Sequence, residues 1–403
     1  MLCPVAGIVA EYNPFHNGHL YHIGQARELS CADAVVVVLS SDFVQRGEPA
    51  LIDKWARAKA ALLCGANLVI ELPAIFSAHN AGVFANAGVD LLEATGAVTH
   101  IVFGMESPAA PIDSITSILI EEPKPFKIHL KKNLERGLSY VQSRALAADA
   151  LVPGAARVLC GSNNTLALAY MMRIKQKRYA MAPVPVKREG SAYNSTELTA
   201  SASAAAIRAA LADGRNDAAM AQLPRPSREI LARAIEGGRA CVTHARLWDI
   251  LRAILLRSSA QELAGIAEMR EGIEYRMRDA ALEASSFEEW VSLCTSKRYP
   301  AARVRRGAVH IMLGLTHWTN RAAQRLGPPY IRVLGADGKG RALLREMRQS
   351  ARLPVVSTYG QAARVSEYAA TVARYEALAC ELWEELIPSG TRGAEHKRKI
   401  IFV

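Results

Sequence analysis

Two textures of apolar and polar positions follow one another along this chain. Over the first two hundred residues, short apolar runs closed by Gly, Pro or polar clusters alternate with longer stretches of helical spacing. Residues 3–10 read as a first strand, and residues 20–29 as the helix after it. The run from Ala34 to Leu39 has no polar position, which predicts a strand covered on both faces. A polar loop over 40–52, a helix over 54–64, a short strand over 68–71 stopped by Pro73, a helix over 78–95 and a strand over 100–104 continue the series. That alternation predicts an α/β fold, Rossmann-like with a parallel sheet, whose ligand lies beyond the strand C-termini.

The texture changes twice more. Residues 107–153 are basic and helix-prone and read as a helical insertion. The strand–helix pattern then resumes with a helix opening at Gly161 and a Pro-flanked strand over 181–186. After a Ser/Ala-rich piece and a helix through Ile207 and Arg208, strand signals thin out beyond Gly214. Short strands are expected only over 330–334 and 353–357, around a basic helix at 339–352, before a last helix over 366–386. The basic stretch from His396 to Lys399 reads as a solvated end. The chain thus divides into a catalytic domain over 1–214 and a mainly helical, basic domain over 215–403.

Composition narrows the class. Half of the 403 residues are apolar and no run of eighteen apolar residues occurs, so a folded, cytoplasmic protein without a membrane span is expected. The seven cysteines are scattered singly, a pattern of reduced thiols rather than of disulfides or zinc ligation. Net charge is +11, and residues 297–352 hold thirteen Lys and Arg against Asp337 and Glu346, an excess equal to that of the whole chain. A basic face so concentrated suggests a polyanionic partner.

The sharpest chemical signal is His16-Asn17-Gly18-His19 between the first strand and the first helix. A glycine allows close backbone approach, a helix start offers N–H groups and positive dipole to phosphate, and two imidazoles donate as charge builds on a phosphoryl group. The competing readings are a metal pair or surface histidines, but Glu11 is the only acid nearby and no cysteine flanks them. Nucleotidyl transfer is the chemistry these residues suit. Gly104 would let a nucleoside lie on backbone, unless it is merely a turn. Asn163 and Asn164 open a helix, as cap or as amide readers of ribose or base. Arg188 suits a phosphate, or else pairs with Glu189. The helix start at Ser203, with Arg208, would meet the β- and γ-phosphates.

Gly7 through His19, Phe43 through Pro49, Asp53-Lys54-Trp55 and Asn67 through Pro73, with Lys297-Arg298-Tyr299 and Tyr330 through Gly335, together resemble the tRNA(Met) cytidine acetate ligase family over nearly the full chain. The resemblance implies ATP-dependent acetylation of the wobble cytidine of elongator tRNA(Met) through an acetyl-adenylate, with acetate, ATP and tRNA as partners and Mg²⁺ as a possible companion of ATP. It implies catalytic roles for His16 and His19. ATP contacts would come from Gly7, Ile8, Val9, Ala10, Glu11, Tyr12, Asn13, Pro14, Phe15, His16, Asn17, Gly18, His19, Leu20, Gly104, Asn163 and Arg188. One departure is Ala205, where the family often has a hydroxyl; Ser201 or Ser203 would have to substitute. Arg46 would take the acetate carboxylate, or else pair with Asp42 or Glu48. The basic segment, with residues 127–132, would contact tRNA phosphates, and Tyr299, Trp318 or Tyr330 would stack on bases unless they belong to the core. The rivals are a small-molecule adenylyltransferase of the same fold, a class I aminoacyl-tRNA synthetase and a non-enzymatic RNA-binding protein.

Overall fold

The structure is a computed structural model that describes residues 4–108, 110–187 and 202–403, with Ser162 described by its backbone only. Arg188, Glu189 and Ser201 therefore lie outside the described residues. Among the described residues eight strands form one sheet: β1 (Val5–Ala10), β2 (Ala34–Ser40), β3 (Leu68–Leu72), β4 (His100–Met105), β5 (Ala182–Lys187), β6 (Ile331–Ala336), β7 (Val355–Val356) and β8 (Ile401–Phe402). Their order is β5-β4-β1-β2-β3-β6-β7, with β8 also on β6. Strands β1 to β5 are mutually parallel, and β6 joins them antiparallel to β3.

Strand β2 shows why the apolar run had to be central. Its side chains alternate between two cores: Val36 and Val38 face one, Val35, Val37 and Leu39 the other. Helices cover both faces. On the first, helix Ala81–Ala94 packs so closely on β1 that a Cβ at Gly7 would sit 2.8 Å from Leu92 and Val98, and one at Gly88 2.7 Å from Val9. Gly7 is thus a packing position. On the other face lie helices Asn17–Ser30 and Lys54–Leu63. The chain runs outward from β1 to β3, then crosses back to place β4 on the far side of β1, so the order reverses between β1 and β4. A crevice opens at such a reversal.

Helices Ile112–Glu121, Lys124–Glu135, Tyr140–Asp149 and Ala155–Cys160 fill the interval between β4 and helix Ser162–Lys177. Beyond residue 202 the chain is mainly helical, yet β6, β7 and β8 come from it, so the sheet draws strands from both sides of residue 214. A buried ionic cluster ties the same regions together. Lys54 Nζ lies 2.6 Å from Glu71, 2.5 Å from Glu376 and 2.9 Å from Glu395, all fully buried, and Arg332 pairs with Glu395. The closing segment is pinned rather than loose: Arg398 bonds Asp53 at 3.1 Å, and β8 follows it onto the sheet. Among the described residues no helix is long and apolar enough to cross a membrane.

Candidate active site

The helix after β1 begins at Asn17, three residues earlier than the apolar spacing implied, because His16 is its N-cap. His16 Nδ1 accepts from Gly18 N at 3.0 Å, and His19 Nδ1 accepts from His16 N at 3.2 Å. The pair forms a capping box made of imidazoles instead of the usual hydroxyl and carboxylate. A ring nitrogen that accepts a backbone N–H carries no proton, so each neutral ring is protonated on Nε2. Both rings line a cavity, with centroids 3.8 Å apart. Tyr12 and Phe15, each 1% exposed, pack against His19 from below at 4.8 and 5.6 Å. Gly18 serves the cap directly, since a Cβ there would meet His16 Cε1 at 2.8 Å.

The cavity, about 190 Å³, lies at the C-terminal ends of β1, β4 and β5, where the strand order reverses. Ile8, Val9, Ala10, Glu11, Tyr12, Asn13, His16, Gly18, His19, Gly104 and Asn163 line it. Gly7, Pro14, Phe15, Asn17 and Leu20 do not. Phe15 is buried under the histidines, Asn17 N bonds Gln222 O at 3.1 Å and Leu20 is 41% exposed. The peptide between Asn13 and Pro14 is cis.

Cations and a second helix start converge on the same space. Ser203 caps helix Ala204–Ala212 by accepting from Ala206 N at 3.1 Å, and Ala202, Ala204, Ala205 and Arg208 line the cavity. Arg208 donates to Asn13 O at 2.8 Å and to Glu48 at 3.0 Å. Glu48 also faces Arg305 at 3.7 Å. Burial pushes its carboxyl upward, but Arg208, Arg305 and further cations outweigh this and hold it below the usual range. Arg46 lines the cavity, while Asp42 accepts from Lys54 N at 2.6 Å and faces Arg57 at 3.7 Å. Glu11 accepts from Gln45 N at 2.9 Å. Its buried carboxyl is pushed up by desolvation, against the pull of Arg208 and Arg46.

The two asparagines divide their work. Gly161 is the cap of helix Ser162–Lys177, and Asn163 bonds Glu106 through its own N (3.2 Å) and its Nδ2 (2.8 Å). Asn164 is buried and accepts from Glu106 N at 3.0 Å, which makes it structural. A carboxylate therefore occupies this helix start, complementing its dipole. Several wall residues escaped the sequence reading: Phe84, Phe103, Leu166, Tyr170, Val186 and Lys187. Helical spacing would have given Leu166 and Tyr170, three and seven positions beyond Asn163. Arg57, fully buried, holds the floor by donating to Glu11 O and Ser41 O, each at 2.7 Å. Of the aromatic candidates for base stacking, Tyr299 and Tyr330 are buried at 6% and 1%, and Trp318 is 73% exposed.

Comparison with known proteins agrees with this geometry. The family model described as HIGH Nucleotidyl Transferase matches residues 3–397. A protein of Acetivibrio thermocellus named tRNA(Met) cytidine acetate ligase is 35% identical, with 87% of each chain covered. One of Syntrophomonas wolfei with the same name is 37% identical over 88% of this chain and 86% of its own. The crystal structure of apo Thermotoga maritima TmcAL superposes with a TM-score of 0.94 at 31% identity, covering 99% of this chain and 100% of that one. A form bound with alpha-thio ATP gives 0.92, covering 99% of each.

Proposed function

Because the chain belongs to the HIGH nucleotidyl transferase family and to its tRNA(Met) cytidine acetate ligases, we propose that it acetylates the wobble cytidine of elongator tRNA(Met), using acetate and ATP. The observation that carries this reading is the convergence, in one cavity at the sheet's reversal, of two Nε2-protonated histidines, a helix start and the guanidinium of Arg208. Such a set suits a triphosphate. His16 and His19 donate to phosphate oxygens. Helix Ala204–Ala212 and Arg208 take the departing pyrophosphate, and the backbone at Gly104 with the side chain of Asn163 receives the nucleoside. Arg188 would add a further phosphate contact.

In the first step an acetate oxygen attacks the α-phosphorus and the bond to the β-phosphate oxygen breaks, giving acetyl-AMP and pyrophosphate. In the second, the cytidine amine attacks the acetyl carbon, loses its proton and expels AMP. The amine's lone pair is delocalised into the ring, so it needs an activated acyl group. The protein positions the partners and stabilises charge. Arg46, on the cavity wall beside Gln45 and Glu11, is the cation we assign to the acetate carboxylate. Among the described residues Glu11 is the one carboxylate lining the cavity. A single carboxylate fits Mg²⁺ that enters on ATP's own phosphates.

The test is to incubate the purified protein with ATP, labelled acetate and tRNA. Label should enter elongator tRNA(Met), and pyrophosphate release should require acetate. Release that ignores acetate but follows another small acid or nucleotide would instead make the chain a small-molecule adenylyltransferase.

A further inference from the structure

Outside the cavity, helix His317–Leu326 exposes a large apolar side chain where none is needed for packing. Trp318 is 73% exposed, whereas Trp55, Trp248, Trp290 and Trp383 are at most 5% exposed. Arg321 and Arg325 are exposed as well, and positions three and seven residues on share a helix face with the first. The helix contains no acidic residue. Its opposite face is anchored: Asn320 and Ala323 are buried, and Asn320 Oδ1 lies 3.0 Å from His79 Nε2. His79 O accepts from Gln45 Nε2 at 3.2 Å, and Gln45 stands in the cavity wall. Two hydrogen bonds thus connect this helix to the site. His317, 2.6 Å from Arg270 through Nε2, meets the indole edge-on at 5.4 Å and fixes one side of it.

We propose that Trp318 is a platform on which an unpaired nucleotide of the RNA substrate stacks, while Arg321 and Arg325 receive the flanking phosphates. The proposal rests on the RNA-acting reading above and deepens it by separating a base-stacking residue from the phosphate-binding ones. An exposed indole followed along one face by two guanidinium groups, on a helix without acids, complements a polyanion carrying flat, apolar bases. Stacking persists in salt, whereas the arginine contacts weaken with it.

The experiment uses the intact protein and elongator tRNA(Met). W318A should bind the tRNA roughly tenfold more weakly, within the range of a single base–aromatic stack, and W318F should recover most of that loss. Because the other four indoles are buried, tRNA should quench the fluorescence of the native protein and leave that of W318F nearly unchanged. The salt dependence of binding should be kept in W318A and reduced in R321A/R325A, and ATP- and acetate-dependent pyrophosphate release without RNA should match the native protein in all three. A W318A affinity within twofold of native, beside tight native binding and acetylation, overturns this inference alone. Failure of the native protein to bind or acetylate tRNA overturns the functional reading with it. A W318A variant that changes oligomeric state at undiminished RNA affinity assigns the face to a second copy of the chain and refutes the platform.

Discussion

Two roles meet in the His16 ring: Nδ1 caps the helix by accepting from Gly18 N, and the ring lines the cavity, where Nε2 is the donor we assign to a phosphate oxygen. The two can be separated. An asparagine at this position is a good N-cap acceptor but lacks the distal donor. H16N should keep the native unfolding midpoint while losing about 10²–10³ in acetate-dependent AMP formation. H16A should lose the same activity and in addition about 1 kcal/mol of stability. Paired urea melts and turnover assays decide it; an H16N enzyme with native turnover would remove the imidazole from the chemistry.

At the scale of elements, the site is a meeting of helix starts with different occupants. Helix Ser162–Lys177 holds Glu106 over its first turn, whereas helix Ala204–Ala212 opens on the cavity with Ser203 as cap and no acid in its first turn. The second start is therefore the one suited to phosphate. Aspartate caps as well as serine but adds a negative charge where the triphosphate would lie. S203D should fold normally and raise the KM for ATP at least about tenfold, the cost of one such charge interaction. An unchanged KM would show that this helix faces something other than the phosphates.

For the whole molecule, the buried cluster around Lys54 sets both stability and its pH dependence. Lys54 holds Glu71, Glu376 and Glu395 together across the two parts of the chain. K54M would leave three buried acidic groups without the cation they share and should cost about 3–5 kcal/mol in chemical denaturation. Burial pushes Asp42 up to about 7 despite Lys54 and Arg57. Burial and the charge of Glu376 push Glu71 up to about 8 despite Lys54 and Arg332. Unfolded, these groups ionise near 3.8 and 4.5, so between those values and pH 7–8 the unfolded chain has released protons that the folded one retains. Their contribution is complete below the ordinary values and is lost as pH rises through the folded ones. Glu395 acts oppositely: although burial pushes it upward, Lys54 and Arg332 hold it down to about 2, so its stabilisation fades only as pH falls from 4.5 toward 2. The thermal midpoint should decline from mildly acidic pH toward pH 8. A D42N/E71Q variant should show a flatter upper limb, and an unaltered slope in that variant would rule these two groups out as its origin.

Features that depend on local spacing were legible in the order of residues alone. A run of six apolar residues bounded by polar ones suits a strand between two layers, and a His-x-Gly-His turn between such a strand and a helix falls at the sheet's C-terminal edge. Helix Asn17–Ser30 began earlier than its apolar spacing implied because an imidazole acted as the cap, a role that propensity does not assign to histidine. Tertiary structure decided what depends on residues distant in sequence. Gly7 proved to be spacing for Leu92 and Val98, Asn164 a clamp on Glu106, and Tyr330 a core residue, while Trp318 alone of three similar aromatic candidates faces outward. The antiparallel β6 and the short β8 complete a sheet begun three hundred residues earlier, and Lys54 finds two of its three carboxylates beyond residue 370. Period and capping act over a few neighbours and can be read from order alone. Burial and ion pairing are set by which surfaces exclude water together, and only the folded chain brings those surfaces into contact.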